Sequence, residues 1–304
     1  MTKPLVSVII PTYKRADRIN HAVDSVVAQT YGIENIEVIV VSDNKKEFPE
    51  YADTDRKLEE YQQLPHFQLI HTAGGTGGGA ARNYACKYAT GEYLAFLDDD
   101  DEFLPDKIET QVQFMQSNHL DMSYQDVSWY DFNSKKLVEH RRLNHVTDFS
   151  KKGLLQAHMV TPIAPTAIYM LTKQLFDQTD GFGEVPVGQD WFLMLRCIEA
   201  GAKIGYMPEV HVHQYLYDGE RLSLGTNKIN GENNLYKVRQ SYFPILTPAQ
   251  RKYVKFRHYA VLAFACKRSK RWAEAIKYAL CAVVSSPMYC LKEAPKYFGK
   301  AKKA

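Results

Sequence analysis

A short apolar run ends in four consecutive acids at Tyr93-Leu94-Ala95-Phe96-Leu97-Asp98-Asp99-Asp100-Asp101. So short a run of bulky apolar residues is typical of a strand that is buried on both faces of a parallel sheet. The acids then lie at the carboxyl end of that strand, where open α/β sheets bind ligands. Adjacent carboxylates repel one another unless a positive group joins them. The stretch therefore predicts either a site for a divalent cation or a solvated turn before the helix that Pro105 begins.

The sequence before this run alternates between strand-like and helix-like segments. Residues 5–10, 36–41 and 67–71 are short and apolar, as buried strands are. Apolar residues at helical spacing separate the first two, and a helix-like stretch over residues 51–63 separates the next two. This order predicts right-handed crossovers and an α/β fold with a Rossmann-like, mostly parallel central sheet.

A glycine-rich loop, Gly74-Gly75-Thr76-Gly77-Gly78-Gly79, precedes a helix-like stretch over residues 80–89. A glycine loop that enters a helix presents backbone N–H groups to an anion. The loop lacks the Gly-Lys-Ser/Thr ending of a P-loop, which excludes that class of nucleotide site. A dinucleotide-binding loop stays an alternative, because the loop follows a strand and Asp98 ends the next one. The position of the loop argues against a dinucleotide-binding role, because the loop follows the third strand instead of the first.

The composition is that of an ordinary globular protein, with 304 residues of which 45% are hydrophobic and 24% charged. No apolar run approaches the length that spans a bilayer, and Met1-Thr2-Lys3-Pro4 leads into a strand instead of a signal peptide. We therefore expect a cytoplasmic protein. The five cysteines are scattered and form no CxxC pair, so they predict neither a disulfide framework nor a zinc site.

Basic residues are concentrated at the end of the chain. From Arg251 to Ala304 there are 14 lysine and arginine residues against two acids, a net charge of +12, whereas the whole chain carries +3. This tail holds two amphipathic helix-like segments, and Trp272, Tyr278 and Tyr289 are interleaved with its basic residues. We predict a basic helical extension over residues 226–304 that either packs on the preceding domain or lies on an anionic membrane surface. No recognition motif for nucleic acid occurs in it.

Five motifs occur in the order in which glycosyltransferase family 2 has them. They are Val8-Ile9-Ile10-Pro11-Thr12-Tyr13, Val40-Val41-Ser42-Asp43, Gly79-Ala80-Ala81-Arg82-Asn83, Phe96-Leu97-Asp98-Asp99-Asp100-Asp101 and Gln189-Asp190-Trp191. The first 225 residues thus resemble that family, whose members are inverting nucleotide-sugar transferases of the GT-A fold. The resemblance implies a GT-A catalytic domain over residues 1–225, followed by the helical extension.

The resemblance also implies a nucleotide-sugar site at the ends of the strands. In the family, the loop after the first strand lines the base and the diphosphate, and the acid that matches Asp43 contacts the base or the ribose. The arginine and asparagine of the Ala-Arg-Asn motif flank the diphosphate or the loop that supports it. The residues assigned to nucleotide-sugar binding in this way are Pro11, Thr12, Tyr13, Arg15, Asp43, Arg82, Asn83, Asp98 and Asp99.

A divalent cation, Mn²⁺ or Mg²⁺, is implied by the same resemblance. Asp98-Asp99-Asp100 matches the family's Asp-x-Asp motif, whose last acid touches the metal and whose first acid contacts the ribose or a metal-bound water. In GT-A relatives a downstream histidine can complete the metal shell, and His213 is the candidate here. A structural histidine on a strand is the alternative. The expected metal ligands are therefore Asp98, Asp100 and His213, with Asp101 as a support for the loop.

Asp190 matches the acid of the family's Glu-Asp-Trp/Tyr motif, which removes the proton from the acceptor hydroxyl. Gln189 stands where the family usually has Glu. This exchange keeps the expected base but removes a charge that would raise the pKa of Asp190. As a structural alternative, Asp190 caps the helix that starts at Trp191.

These features predict a metal-dependent, inverting glycosyltransferase of the hexosyltransferase class. It is expected to move a sugar from a nucleotide diphosphate donor, UDP-sugar above all, to a saccharide or lipid-linked glycan acceptor. Bacterial surface polysaccharide synthesis, in capsule or cell-wall assembly, uses such reactions. The expected location is the cytoplasm, with a peripheral position at the inner face of the cell membrane as an option. An NAD-dependent oxidoreductase and a non-catalytic sugar-nucleotide-binding protein remain as alternatives.

Overall fold

A computed structural model describes residues 3–183, 185, 187–217 and 225–298, with the backbone alone for residues 225, 226 and 294–298. The chain packs into two compact units. The first contains Met1–Leu154, Ile163–Glu184 and Gln189–Asp218, and the second contains Leu155–Pro162, Val185–Gly188 and Gly219–Ala304. The C-terminal helices thus share a unit with two earlier segments, and the division of the chain at residue 225 stays a prediction.

The first unit is built on one sheet, which has nine strands within the described residues. They are β1 (Val6–Thr12), β2 (Ile36–Ser42), β3 (Phe67–His71), β4 (Tyr93–Phe96), β5 (Glu102–Phe103), β6 (Met122–Asp131), β7 (Leu137–Arg141), β8 (Met170–Thr172) and β9 (Ile204–Leu216). Their order is β3-β2-β1-β4-β8-β6-β9-β5, and β7 pairs with β6. The helices are α1 (Ile19–Val27), α2 (Pro49–Lys57), α3 (Gly78–Cys86), α4 (Lys107–Asn118), α5 (Lys151–Val160), which continues into the second unit, α6 (Lys173–Asp177) and α7 (Gln189–Glu199).

The strands β3, β2, β1 and β4 run parallel to one another, as the sequence predicts. Beyond β4 the directions mix, because β8 is antiparallel to both β4 and β6 while β9 is parallel to β6. The fold is therefore α/β, with a parallel half and a mixed half. Ile9 and Phe96, which pair across β1 and β4, are fully buried. Burial on both faces explains why these strands are apolar throughout, with no alternation.

The parallel strands end at one edge of the sheet, and this edge collects the predicted site. Thr12 pairs with Ser42 at the ends of β1 and β2. The Leu97 N–H, just after β4, donates to the Ile9 carbonyl at 3.1 Å. Asp43 and the four acids that follow Leu97 therefore emerge at the same edge as Thr12.

Some predicted boundaries are wrong. Residues 141–153 show little periodicity, which predicts a mobile loop, but the start of this segment is packed, since Leu143 is buried and its N–H donates to the Asp126 carboxylate at 2.8 Å. The sequence also predicts two separate strands over residues 203–207 and 210–215, but these residues belong to the single strand β9, whose register with β6 shifts near Asp126. In both places a long-range contact with β6 determines the local structure.

Besides the end of α5, the second unit contains four α-helices among its described residues, which confirms the predicted helical extension. They are α8 (Gly225–Ser241), α9 (Pro248–Arg268), α10 (Trp272–Ser285) and α11 (Pro287–Phe298). A capping box between Thr247 and Gln250 begins α9. An apolar cluster holds this unit together, and it consists of Ile229, Leu262, Ala265, Cys266 and Ala275, with Tyr278 against it. None of the described helices combines the length and the apolar composition of a membrane span.

Candidate active site

The four acids after β4 alternate between buried and accessible positions. Asp99 and Asp101 are 4% and 3% exposed, whereas Asp98 and Asp100 keep part of their surface. The Asp101 N–H donates to the Asp98 carbonyl at 3.1 Å, which closes the turn. Two of the four carboxylates therefore stay accessible to a ligand.

The buried carboxylate of Asp99 is held by the end of β1. It accepts hydrogen bonds from the Thr12 hydroxyl at 2.7 Å and from Arg15 Nη1 at 3.0 Å. Burial raises the pKa of Asp99 to about 7, and the charge of Arg15 opposes this shift. The same Arg15 nitrogen donates to Asp100 Oδ2 at 2.7 Å, so one guanidinium joins two consecutive acids. Thr12, at the end of β1, and Arg15, in the loop that follows, thus position Asp99 and Asp100.

The last acid, Asp101, is bound to β9 instead of facing solvent. Its carboxylate accepts from Gln214 Nε2 at 2.6 Å and from the Tyr215 N–H at 3.1 Å. Burial raises the pKa of Asp101 well above its ordinary value, and the charge of the neighbouring Asp100 adds to the shift. This placement agrees with a supporting role in the loop.

A second arginine lies beside Asp100. The Arg18 Nη1 is 3.9 Å from Asp100 Oδ2, and its guanidinium lies 3.7 Å from the centre of the Tyr217 ring. With Arg15, it surrounds the Asp100 carboxylate with two positive charges. Arginine forks of this kind also bind phosphate oxygens. Sequence reasoning did not select Arg18 or Tyr217, because the residues meet only through the fold.

Asp43 organises the glycine loop. Its Oδ1 accepts three hydrogen bonds: from the Thr72 hydroxyl, from the Thr76 N–H at 2.9 Å and from the Thr76 hydroxyl at 2.7 Å. Its Oδ2 accepts from the Gly77 N–H at 2.8 Å. Gly77 has a φ of 95°, a conformation that favours glycine. Asp43 is 3% exposed, so its place in this structure is inside the loop that leads into α3.

Arg82 connects the acids to the start of α7. It is 7% exposed and pairs through Nη2 with Asp98, in a short contact, and through Nη1 with Gln189 Oε1 at 3.4 Å. A Cβ on Gly78 or Gly79 would press on Arg82 or Gln189, so these glycines allow the close packing. Because Gln189 is neutral, the only carboxylate pair of Arg82 in the described contacts is with Asp98.

Asn83 holds the segment before α7. Its amide nitrogen donates to the Phe182 carbonyl at 3.0 Å, and its amide oxygen accepts from the Phe182 N–H at 2.8 Å. A Cβ on Gly181, whose φ is 63°, would clash with the Asn83 side chain. Asn83 therefore lies against a supporting loop.

Asp190 lies in the first turn of α7, next to Gln189. Its Oδ1 accepts from the Trp191 N–H at 2.8 Å, an interaction that suits a negative charge at a helix N-terminus. The side chain keeps intermediate exposure, while Trp191 is 2% exposed and anchors the helix. The link from Gln189 through Arg82 to Asp98 brings this helix start to the acids.

Pro11 and Tyr13 stand at the end of β1. Pro11 belongs to the strand and pairs with Val41. Tyr13 follows the strand and is 39% exposed, with Lys14 Nζ 5.5 Å from its ring centre. Lys14 has a φ of 56°, and its N–H donates to Asn44 Oδ1 at 2.7 Å. The Tyr13 ring is therefore accessible to solvent at the same edge of the sheet as the four acids.

The residues present fit a hard divalent cation. One carboxylate oxygen from each of Asp98, Asp100 and Asp101 lies within 4.8 Å of the others, and such oxygens are the ligands that Mg²⁺ and Mn²⁺ prefer. His213 is not part of this group. It pairs with Glu102 across β5 and β9, at 3.9 Å, and its ring centre is 4.5 Å from that of Tyr130. Burial lowers the pKa of His213.

Comparison with known proteins points in one direction. Residues 7–177 match the family model described as glycosyl transferase family 2. A protein of Rickettsia typhi named as an uncharacterized glycosyltransferase is 41% identical over 237 residues, 74% of this chain and 68% of that protein. WfgD of Escherichia coli, named as a UDP-Glc:alpha-D-GlcNAc-diphosphoundecaprenol beta-1,3-glucosyltransferase, is 34% identical over 120 residues, 40% of this chain and 44% of that protein.

Some relatives are much longer than this chain. GgaB of Bacillus subtilis, named as a minor teichoic acid biosynthesis protein, is 26% identical over 267 residues, which are 84% of this chain but 28% of that protein. The chain also spans 28% of an uncharacterized glycosyltransferase of Rickettsia bellii, to which it is 33% identical.

Solved structures share the fold. The S. aureus protein TarS, residues 1–349, in complex with UDP-GlcNAc, has a TM-score of 0.60 at 18% identity, covering 96% of this chain and 78% of that one. The mannosyltransferase PcManGT from Pyrobaculum calidifontis, in complex with GDP-Man and Mn²⁺, has a TM-score of 0.59 at 20% identity, covering 93% and 87%. The likeness confirms the predicted GT-A fold.

Proposed function

The chain belongs to glycosyl transferase family 2, and we propose that it transfers a sugar from a UDP-sugar to a saccharide or lipid-linked glycan acceptor. One observation carries the proposal. The ends of β1 and β4 and the start of α7 meet at one edge, where Arg15 and Arg82 hold the accessible carboxylates of Asp98 and Asp100. Such an edge of an α/β sheet is where nucleotides bind.

The donor is proposed to lie along this edge. The accessible ring of Tyr13 offers a stacking surface for the base, as an aromatic ring does for a planar ligand. Arg15 and Arg18 offer donors for phosphate oxygens at the place where Asp100 now accepts them. Asp43 would act on the donor through the glycine loop that it holds. UDP is supported as the nucleotide by the names of WfgD and of the TarS complex.

We propose that Asp98 and Asp100 hold Mn²⁺ or Mg²⁺ together with the donor diphosphate. When bound, the cation supplies positive charge that stabilises the departing diphosphate. Arg82 fixes the orientation of Asp98, and Arg15 fixes that of Asp100. His213 remains a prediction as a further ligand, and it would have to exchange its contact with Glu102 for this role. The Mn²⁺ in the complex of PcManGT with GDP-Man supports the choice of metal.

Asp190 is the proposed general base. Its carboxylate would accept the proton of the acceptor hydroxyl while that oxygen attacks the anomeric carbon. The new carbon–oxygen bond forms as the bond from the sugar to the diphosphate breaks, so a single displacement inverts the anomeric configuration. The rigid start of α7, anchored by the buried Trp191, holds the base in place.

The acceptor is proposed to be a saccharide or a lipid-linked glycan of the bacterial surface. WfgD is named for transfer to a diphosphoundecaprenol-linked sugar, and GgaB is named for teichoic acid biosynthesis. The accessible position of Asp190 at a helix start suits a large acceptor that approaches from solvent. Bacterial polysaccharide synthesis is therefore the setting that we propose.

A donor screen tests the proposed function. Nucleotide diphosphate sugars are incubated with the full chain in Mn²⁺, and release of the nucleotide diphosphate is measured, since slow hydrolysis reveals a donor without its acceptor. We expect turnover with one UDP-sugar, a loss of turnover in EDTA and at least a tenfold loss in Asp100→Ala. Asp177→Ala, an exposed acid on α6, is the matched control and should behave as the wild type.

Three outcomes would contradict this proposal. Cofactor fluorescence that reports NADH binding, with no response to sugar nucleotides, would favour the oxidoreductase. UDP affinity without turnover on any donor or acceptor would favour a non-catalytic binding protein. Equal turnover in Mn²⁺ and in EDTA would show that the metal assignment is wrong.

A further inference from the structure

An apolar surface of the second unit is exposed to solvent. On α10, Trp272, Ile276, Leu280 and Val284 are 58%, 61%, 61% and 84% exposed. Val283 on the same helix, and Met288 and Leu291 on α11, are exposed as well. Single exposed apolar side chains are ordinary, but a contiguous series on one helix marks an interaction site. We call the five exposed apolar residues of α10, Trp272, Ile276, Leu280, Val283 and Val284, the apolar face.

The exposed apolar side chains of α10 lie on one side of the helix. An α-helix turns by about 100° per residue. Viewed along the axis of α10, an arc of about 140° that begins at Ala279 and ends at Val284 contains only exposed residues and no charged side chain. Lys277 borders this arc. The opposite side of the helix carries Ala275 and Tyr278, which pack in the apolar cluster of the unit. The helix is thus apolar on two sides, and one of them has no cover within the described part of the second unit.

Exposed positive charge lies beside the apolar face, at the end of α10 where the helix begins. Lys267, Arg268 and Lys270, at the junction before α10, are exposed. Arg271, the next basic residue, is paired with an acid instead, because it donates two hydrogen bonds of 2.6 Å to the Glu274 carboxylate. The only acids from Arg251 onward are Glu274 and Glu293, which leaves the net charge of +12.

We propose that the apolar face is a docking surface for an anionic lipid membrane. The apolar side chains of α10 would enter the boundary between headgroups and acyl chains, and the exposed basic residues at the start of α10, with Lys277 beside the arc, would contact the anionic headgroups. With 14 residues, α10 is about 21 Å long, shorter than the roughly 30 Å hydrocarbon core, so the helix would lie in the plane of the surface.

The charge favours a membrane over a second copy of the chain. Pairing two copies through this face would bring together two segments of +12 each, whereas an anionic surface neutralises them. The aromatic ring of Trp272 at the start of α10 also suits the membrane interface, where tryptophan is enriched. This inference rests on the second unit alone and does not depend on sugar transfer.

The test uses the full chain and vesicles of phosphatidylglycerol mixed with phosphatidylcholine, with phosphatidylcholine alone as the comparison. Co-sedimentation should show at least tenfold stronger binding to the anionic vesicles, and binding should fall steeply between low and high salt. The double variant Ile276→Asn/Leu280→Asn should lose at least tenfold of this binding. Its matched control is Leu137→Asn/Val138→Asn, two exposed apolar residues of β7, which should bind as the wild type.

Tryptophan fluorescence gives a second readout that separates insertion from attraction by charge alone. Trp272 is exposed, whereas Trp191 is buried and Trp129 donates a hydrogen bond to Gln214. Brominated phosphatidylglycerol should therefore quench the wild type, and Trp272→Phe should lose this quenching while it keeps most of the binding.

Any of three results would overturn the inference. The first is wild-type protein that ignores anionic vesicles at low salt. The second is unchanged vesicle binding in the Ile276→Asn/Leu280→Asn variant, with folding verified by circular dichroism. The third is a dimer in light scattering that this variant abolishes, because the face would then be occupied by a second copy.

Discussion

The charged residues at this edge of the sheet already pair with one another. Arg15 joins Asp99 and Asp100, and Arg82 joins Asp98 to Gln189. These pairs hold the carboxylates in place before a ligand arrives, which lowers the cost of ordering them on binding. The same arginines carry the positive charge that a diphosphate needs, so they connect the structure of the edge to its proposed chemistry.

Lys107 is a buried charge outside this edge. It is the first residue of α4, it is fully buried, and its Nζ lies 4.1 Å from the centre of the Phe103 ring. Burial lowers the pKa of Lys107 to about 7. The folded state therefore binds this proton less tightly than the unfolded state, and its position at a helix N-terminus also disfavours the charge.

We predict that Lys107→Met stabilises the protein at pH 7 by an amount on the order of 1–3 kcal/mol. The free-energy cost of burying the Lys107 ammonium is present in full below pH 7. It declines as the pH rises from 7 towards about 10.5, the pKa of a lysine in the unfolded chain. The gain in the variant should thus be largest at pH 6–7 and shrink by pH 10. Urea unfolding at several pH values measures it.

The control for this prediction is Lys87→Met, at an exposed position after α3, which should show no such pH dependence. A Lys107→Met variant that is less stable than the wild type at pH 7 would show that the buried ammonium makes a favourable interaction.

At the scale of elements, the glycine loop depends on the end of β2. Asp43 accepts hydrogen bonds from the N–H groups of Thr76 and Gly77 and from two threonine hydroxyls. A carboxylate is suited to this position because both of its oxygens accept. The loop then leads into α3, which places Arg82 beside Asp98.

We predict that Asp43→Asn loosens this loop and weakens UDP binding on the order of tenfold. The amide turns an NH₂ group towards a backbone N–H, and each lost bond to a charged acceptor costs about 1.5–3 kcal/mol. Hydrogen exchange at the Thr76 and Gly77 amides should become faster. Asp177→Asn, at an exposed acid of α6, serves as the control. Unchanged exchange in Asp43→Asn would show that the loop is held by other contacts.

The sequence predicts an element when the pattern that causes it lies within the element itself. The parallel strands are predicted because their apolar runs reflect burial on both faces, as at Ile9 and Phe96. The single strand β9 and the packed segment at Leu143 are not predicted, because β9 depends on pairing with β6 and Leu143 depends on a hydrogen bond to the side chain of Asp126 in β6. A sequence pattern shows that a segment is buried, but not which neighbour buries it.

The same limit applies to the candidate site. The acids, Arg82 and Asp190 are selected from motifs, and the fold brings the segments that carry them to one edge. The partners of those residues come from pairings that the sequence does not indicate. Gln214 and Tyr215 bind Asp101 across the sheet, and the register of β5 on β9 places His213 opposite Glu102.

For the whole molecule, the two proposals concern different units. The sugar-transfer residues all belong to the first unit, and the apolar face belongs to the second. Variants of the apolar face should therefore keep donor hydrolysis in solution, while variants of the acids should keep vesicle binding. The two activities can thus be tested separately in one full-length protein.

The central claim is that the first unit transfers sugar with Asp190 as the base, and Asp190→Asn tests it most directly. The measurement is the rate of UDP release at saturating donor and Mn²⁺, together with the Kd for UDP. Asparagine keeps the size and the helix-start hydrogen bonding of Asp190, so the Kd should stay within about twofold, while the rate should fall by about 10²–10⁴-fold. Asp100→Ala, by contrast, should also weaken UDP binding. A near wild-type rate in Asp190→Asn, under conditions where chemistry limits turnover, would contradict the account.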